Sequence, residues 1–242
     1  MSLDYTIKKN LEDFHLISDD RRKELELLCN LILEKEGKTN LIFICTHNSR
    51  RSILTQIWAQ IAADYYGLRN ITCYSGGTES TAFYPSAIEA LKQQGLLVQK
   101  ISEGTNPIYG IKFSNSKSPI LCFSKKYDNF FNPKTNFIAI MTCDQAEQNC
   151  PLIPNANHRI SIKYEDPKIA DGTSFEKEKY LHRFHRLCRL LGSRRVHCQR
   201  EIGHNRWICW RTFNGSCGES RTTVIFGDCY GRAICRLSYY KS

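Results

Sequence analysis

Leu41-Ile42-Phe43-Ile44-Cys45 constrains the fold more than any other stretch of the chain. An uninterrupted run of strand formers suits a strand covered on both faces, as inside a parallel sheet with helices above and below. The flanks fit that architecture. Residues 19–36 carry Leu25, Leu28 and Ile32 on one stripe with Leu27 and Leu31, Ser18 or Asp19 can cap the start, and Gly37 ends the pattern. Residues 52–66 return to helical spacing through Ile53, Ile57, Trp58, Ile61 and Tyr65, and Gly67 stops them. Ile71–Ser75 reads as a second strand and Gly76-Gly77 as a turn. Pro85 opens a helix that runs to Gln94 and is closed by Gly95. Pro119–Phe123 and Phe137–Met141 read as two further strands, Lys125–Phe131 as a short helix or loop between them, and His158–Ile162 as an edge strand. Such alternation predicts an α/β fold, a four-stranded parallel sheet with helices on both faces. Ligands of these sheets bind at the carboxyl ends of the strands. Trp58, Cys29, Cys73 and Cys122 read as core.

The 242 residues allow one domain of about 150 residues with extensions. No run approaches the length of a membrane span, and MSLDYTIKKNLEDF lacks the apolar centre of a signal peptide, so the cytoplasm is the expected compartment. A net charge of +10 suggests nucleic acid, but its distribution argues otherwise. Residues 181–242 hold 12 Lys and Arg against 3 Asp and Glu, a net of +9, while residues 1–180 are nearly neutral. Six of the 12 cysteines and two of the three tryptophans also fall in that last quarter. This shift in composition suggests a tail read out of the ancestral frame or fused from elsewhere, beginning at about Leu181–Arg189. The expected divisions are a helical extension over 1–38, a catalytic domain over 39–187, and a tail over 188–242. His182, His185, Cys188, His197, Cys198, His204 and Cys209 match no zinc spacing, so no metal is assigned. Arg183–Arg200 carries no nucleic-acid motif and reads as a solvated or disordered segment.

Chemistry concentrates in Cys45-Thr46-His47-Asn48-Ser49-Arg50-Arg51-Ser52, between the first strand and the next helix. A loop closing onto a helix N-terminus aims backbone N–H groups at one point, where the helix dipole adds positive charge. Such a nest binds phosphate-like anions and stabilises a thiolate at its base. The five residues between Cys45 and Arg51 let the loop curl until the guanidinium fork meets two oxygens of the anion above the sulfur. Ser52 can donate to the sulfur and Asn48 can brace the loop from within. A second segment, Met141 to Pro151, follows a strand and holds Cys143 and Cys150 with six residues between them. Cysteines about two helical turns apart can pair only if the intervening segment loops out or unwinds.

The loop resembles the phosphate loop of the low-molecular-weight protein tyrosine phosphatases and of the thioredoxin-coupled arsenate reductases that share their fold. The resemblance covers about Asn40–Gly172 and includes Ser75-Gly76-Gly77-Thr78 after the second strand and Asp166-Pro167 within Tyr164-Glu165-Asp166-Pro167. It implies that Asp166 is a general acid, which fits the need to protonate a poor leaving oxygen. It also implies a final helix near Phe175–Leu191. Cys143 and Cys150, with Asn149 and Pro151 beside the second, are similar to the redox pair of the reductases. On that resemblance Cys45 attacks arsenate, Cys143 attacks Cys45 as arsenite leaves, Cys150 attacks Cys143, and a thioredoxin-like protein reduces the Cys143–Cys150 disulfide. Lys168-Ile169-Ala170 stands where the phosphatase branch often carries adjacent tyrosines, and His47 and Arg50 replace smaller residues of the reductase loop. The implied function is arsenate reduction without a cofactor, on arsenate or a phosphate ester. The alternatives are phosphotyrosine hydrolysis through a phosphocysteine, and an inactive product of a frameshifted gene.

Overall fold

The computed structural model describes residues 2–12, 17–35, 37–150, 152–164, 197–200, 207–214, 220–227 and 233–234. Two compact units divide the chain, Met1–Cys188 and Arg189–Ser242. The first unit begins with α1 (Leu3–Glu12), α2 (Asp19–Leu33), β1 (Thr39–Cys45), α3 (Arg51–Tyr65), β2 (Ile71–Gly77) and α4 (Pro85–Gln93). It continues with β3 (Leu97–Lys100), β4 (Tyr109–Lys112), β5 (Ile120–Cys122), β6 (Phe137–Met141), α5 (Asp144–Asn149) and β7 (Ala156–Ser161).

The apolar run forms β1 as its composition requires, and it lies at the centre of a four-stranded sheet in the order β2-β1-β6-β7. Every pairing is parallel: β1 with β2, β1 with β6, and β6 with β7. All five residues of β6 are buried, so the two central strands are the driest part of the sheet. Because β2 and β6 flank β1 on opposite sides, the chain leaves β1 where the strand order reverses, the usual ligand position in such sheets. α3 packs on this sheet through Ile53, Ile57, Trp58 and Ile61, all at most 2% exposed. Ser18 caps α2 by accepting from the Arg21 amide, and Leu25, Leu28, Cys29 and Ile32 form its buried face. Thr6 of α1 donates to the Gln94 carbonyl just past α4 at 3.2 Å. No helix among the described residues is long and apolar enough to cross a membrane.

Several expectations need correction. Pro119–Phe123 does not join the parallel sheet; its core becomes β5 in a separate antiparallel sheet, β3-β4-β5. A short apolar run carries no information on which sheet it enters. β3 and β4 escaped the sequence reading because Lys, Gln, Tyr and Gly dilute their pattern. Gly76 and Gly77 form no turn, since β2 continues through both. Of the two readings for Lys125–Phe131, the structure has the loop. α2 stops at Leu33, and Leu27 is 52% exposed rather than part of the apolar stripe. Tyr65 at the end of α3 is also exposed.

In the second unit β8 (His197–Arg200), β9 (Trp207–Asn214), β10 (Ser220–Gly227) and β11 (Ala233–Ile234) form an antiparallel sheet ordered β11-β10-β9-β8. Asp166, the helix expected near 175–191, and the tail's histidine and cysteine side chains lie outside the described residues.

Candidate active site

Cys45 is the last residue of β1, buried to 4% exposure, and the chain turns from it directly into α3. Between them the carbonyls face outward. Thr78 and Glu79 amides donate to Cys45 O at 3.1 Å and Thr46 O at 2.8 Å. Ser124 Oγ donates to His47 O at 2.8 Å, and the Tyr84 amide donates to Ser49 O at 3.0 Å. No amide of Thr46–Ser49 finds a protein acceptor among the described residues. With the carbonyls tethered outside, these N–H groups are left for an anion.

Two side chains hold the loop from within. Asn48, fully buried, takes φ +46°, a left-handed conformation that asparagine tolerates better than most residues. Its Nδ2 donates to Ser52 Oγ at 2.8 Å, and its Oδ1 accepts from the Lys125 amide at 2.9 Å. Ser52 Oγ lies 3.0 Å from Cys45 Sγ. Ser52 Oγ, which accepts from Asn48, is thereby fixed within hydrogen-bond reach of the sulfur. Behind the loop, Gly77 leaves no room for a side chain. An added Cβ would sit 2.3 Å from Glu79 O, 2.7 Å from Thr46 O and 2.8 Å from Asn48 N.

Cys143 and Cys150 lie on the apolar cluster beneath the loop. Cys45 and Cys143 belong to one buried apolar cluster with Ile44, Met141, Ala146 and Ile153, and Cys150 and Tyr127 pack against it. Thr46 Oγ1 is 3.5 Å from Cys143 Sγ. Cys143 and Cys150 flank α5 as its N-cap and C-cap, so the wound helix separates them. Burial pushes the Cys150 thiol up, opposed by Arg159. Arg51 opens α3 and donates to Tyr164 O at 3.4 Å, and the Asp144 carboxyl of α5 is held below its usual range chiefly by Lys163, with a smaller contribution from the Arg51 charge. His47 is exposed at the rim, with Nε2 3.6 Å from Glu79 Oε2, and the Arg50 guanidinium stacks on Tyr84 at 4.4 Å. Burial drives the Cys122 thiol to about 12 and the Cys73 thiol higher still, which removes both as nucleophiles at neutral pH.

A family model described as low molecular weight phosphotyrosine protein phosphatase matches residues 40–112. An arsenate reductase of Staphylococcus aureus (strain Newman) is 30% identical over 141 residues, 58% of this chain and 87% of that protein. The chain belongs to the low-molecular-weight protein tyrosine phosphatase superfamily, in its arsenate reductase branch. Arsenate reductase 2 of Staphylococcus haemolyticus (strain JCSC1435) is 28% identical over the same length. A solved structure described as an arsenate reductase in the phosphate binding state covers 64% of this chain and 97% of its own, at 20% identity and a TM-score of 0.40.

Within this superfamily member, the residues that sequence reasoning missed are those that brace the loop from a distance. Ser124, Lys125 and Gly77 touch it across 29 to 77 positions, so no local pattern announces them. Lys125 is the most unusual. Its Nζ is buried without a hydrogen-bond partner among the described residues, 4.6 Å from the Phe123 ring centre and 5.5 Å from that of Phe131. Burial lowers its pKa from 10.5 to about 8. The unfolded chain keeps this lysine protonated to about pH 10, so above about pH 8 the unfolded state binds the extra proton and stability rises with pH. Lys125→Met is expected to stabilise the protein at pH 7 by about 2 kcal/mol, after allowing for the lost ring contacts, and to flatten that rise. Urea unfolding at a series of pH values measures both. A variant less stable than the native chain at pH 7 would contradict an uncompensated ammonium.

Proposed function

We propose that the protein reduces arsenate, with Cys45 as nucleophile and Cys143 and Cys150 as a disulfide relay recharged by a thioredoxin-like protein. The gathering of Cys45, Cys143 and Cys150 on one apolar cluster is the observation that carries the reading. A hydrolase needs only the first of these thiols near its anion loop. A reductase needs a second thiol within reach of the first and a third that can draw the disulfide outward.

Arsenate enters the nest formed by the amides of Thr46, His47, Asn48, Ser49 and Arg50, and Arg51 binds its equatorial oxygens. Cys45, as its thiolate, attacks arsenic, and one oxygen leaves as water after protonation, the role assigned to Asp166. Cys143 then attacks Cys45 Sγ. The Cys45–As bond breaks, its electron pair stays on arsenic, and arsenite departs as As(III). Two thiols have become the Cys45–Cys143 disulfide, which accounts for the two electrons. Cys150 attacks Cys143 and frees Cys45, and a dithiol reductant returns the Cys143–Cys150 disulfide to thiols. Phosphotyrosine hydrolysis by Cys45, Arg51 and Asp166 alone would share only the first step.

Cys150→Ser separates the two. Under the relay, multiple-turnover arsenate reduction with thioredoxin falls to background, one equivalent of arsenite still forms, and hydrolysis of an aryl phosphate is unchanged. Loss of both activities, or of neither, would refute it.

A further inference from the structure

The Cys143–Cys150 disulfide cannot form while α5 is wound. Seven residue steps along an α-helix span about 10 Å, beyond the roughly 7 Å limit on Cα separation in a disulfide. A helix of six residues has little stability of its own. What holds it wound must come from outside, and the chain from β7 to Tyr164 supplies it. Lys163 Nζ bridges Asp144 Oδ1 and Glu147 Oε2, both at 2.7 Å. Arg159 Nη2 donates to the Glu147 carbonyl at 2.9 Å, and Ser161 Oγ donates to the Glu147 carboxylate. Lys163 is itself held, since Arg21 donates to its carbonyl and the Tyr164 amide donates to Thr142 O at 3.1 Å.

The bridge is specific to one state of α5. Asp144 and Glu147 are three residues apart and share a face only when the segment is helical. Once it loops out, their carboxylates separate and one ammonium can satisfy at most one of them. The charges register this pairing. Lys163 holds both carboxyls below their usual range, and they in turn raise the lysine.

We infer that Lys163 is a positioning residue that latches α5 in its wound form, opposing the Cys143–Cys150 disulfide and thereby making it easier to reduce. The inference rests on the relay reading. In it Cys150 gains access to Cys143 only when the Lys163 bridge opens, and the bridge reforms once a reductant returns two electrons and two protons to the pair. A latch of this kind keeps Cys150 away from Cys143 during the first chemical step and favours discharge to the reductant afterwards.

The test is the redox equilibrium of the pair in the full-length chain, titrated in reduced and oxidised dithiothreitol. Both cysteines lie on one tryptic peptide, 135–159, so differential alkylation and mass spectrometry count the disulfide directly. Lys163→Gln should favour the disulfide by about threefold or more, a midpoint about 14 mV more negative. Lys163→Arg should restore most of the native value, and high salt should bring the native midpoint toward that of the glutamine variant. An unchanged midpoint in Lys163→Gln, or one shifted toward the thiols, overturns the latch while leaving the relay intact. Failure of the native chain and both variants to form a Cys143–Cys150 disulfide at any poise overturns the relay, and the latch with it.

Discussion

Gly77→Ala is expected to lower arsenate turnover, and aryl phosphate hydrolysis with it, by about a hundredfold or more. The new methyl group would meet three backbone atoms at 2.3–2.8 Å, two of them in the nucleophile loop itself, at Thr46 O and Asn48 N. Backbone cannot swing aside as the tip of a side chain can, so the loop must be displaced by close to an ångström. Shifts of that size at a reacting centre cost about two orders of magnitude in rate. Overpacking of this kind also destabilises by about 1–3 kcal/mol, visible in urea unfolding. Gly110→Ala is the control. There the nearest contact is the flexible end of Ile101 at 3.0 Å, far along the chain from the loop, and turnover should be native. Full turnover by Gly77→Ala would mean that the loop does not need its present path.

The second large effect is expected at Asn48. Asn48→Ala removes the donor to Ser52 and the acceptor for the Lys125 amide, both in a fully buried setting. It also leaves alanine at φ +46°. Stranding a buried amide costs about 1–3 kcal/mol and the left-handed backbone about 1 kcal/mol more. Turnover should fall about a hundredfold, because Ser52 loses the contact that aims it at Cys45. Asn48→Gly separates the causes. Glycine relieves the backbone and restores part of the stability, yet lacks the brace, so turnover should stay low. Recovery of turnover in the glycine variant would assign the effect to backbone conformation alone.

These two positions also mark how far the sequence could be read. The contact from Ser52 to Cys45 and the bracing by Asn48 are local, so strand, loop and helix in succession suffice to foresee them. β1, α3, β2, α4, β6 and β7 were legible because burial on both faces, or helical periodicity, leaves a strong pattern in short windows. Gly77 was legible as a glycine but not as a contact, since the atoms it must clear come from residues 46 and 48. Lys125 reads as an ordinary charged residue in a loop; its burial follows from Phe123, Phe131 and the fold around them. Pro119–Phe123 was placed in the wrong sheet for a related reason. Pairing partners are chosen by tertiary context, and β4, its actual neighbour, is too polar to be noticed in advance. The Lys163 bridge depends on a helix of six residues and a segment sixteen residues further on, which no periodicity connects.

The order of strands has a consequence for distance. Ile44 is paired with Met141, and the Thr142 amide still donates to Ile44 O at 2.7 Å beyond the end of β6. Cys45 and Cys143 therefore leave two hydrogen-bonded neighbours one residue out of step. Adjacent strands lie about 4.8 Å apart with about 3.3 Å of rise per residue, a diagonal of about 6 Å. That falls at the commonest Cα separation of a disulfide. Under the proposed relay, backbone pairing thus sets the Cα spacing for the first sulfur exchange. In that reading the second exchange asks for the unwinding of α5, the shortest helix among the described residues.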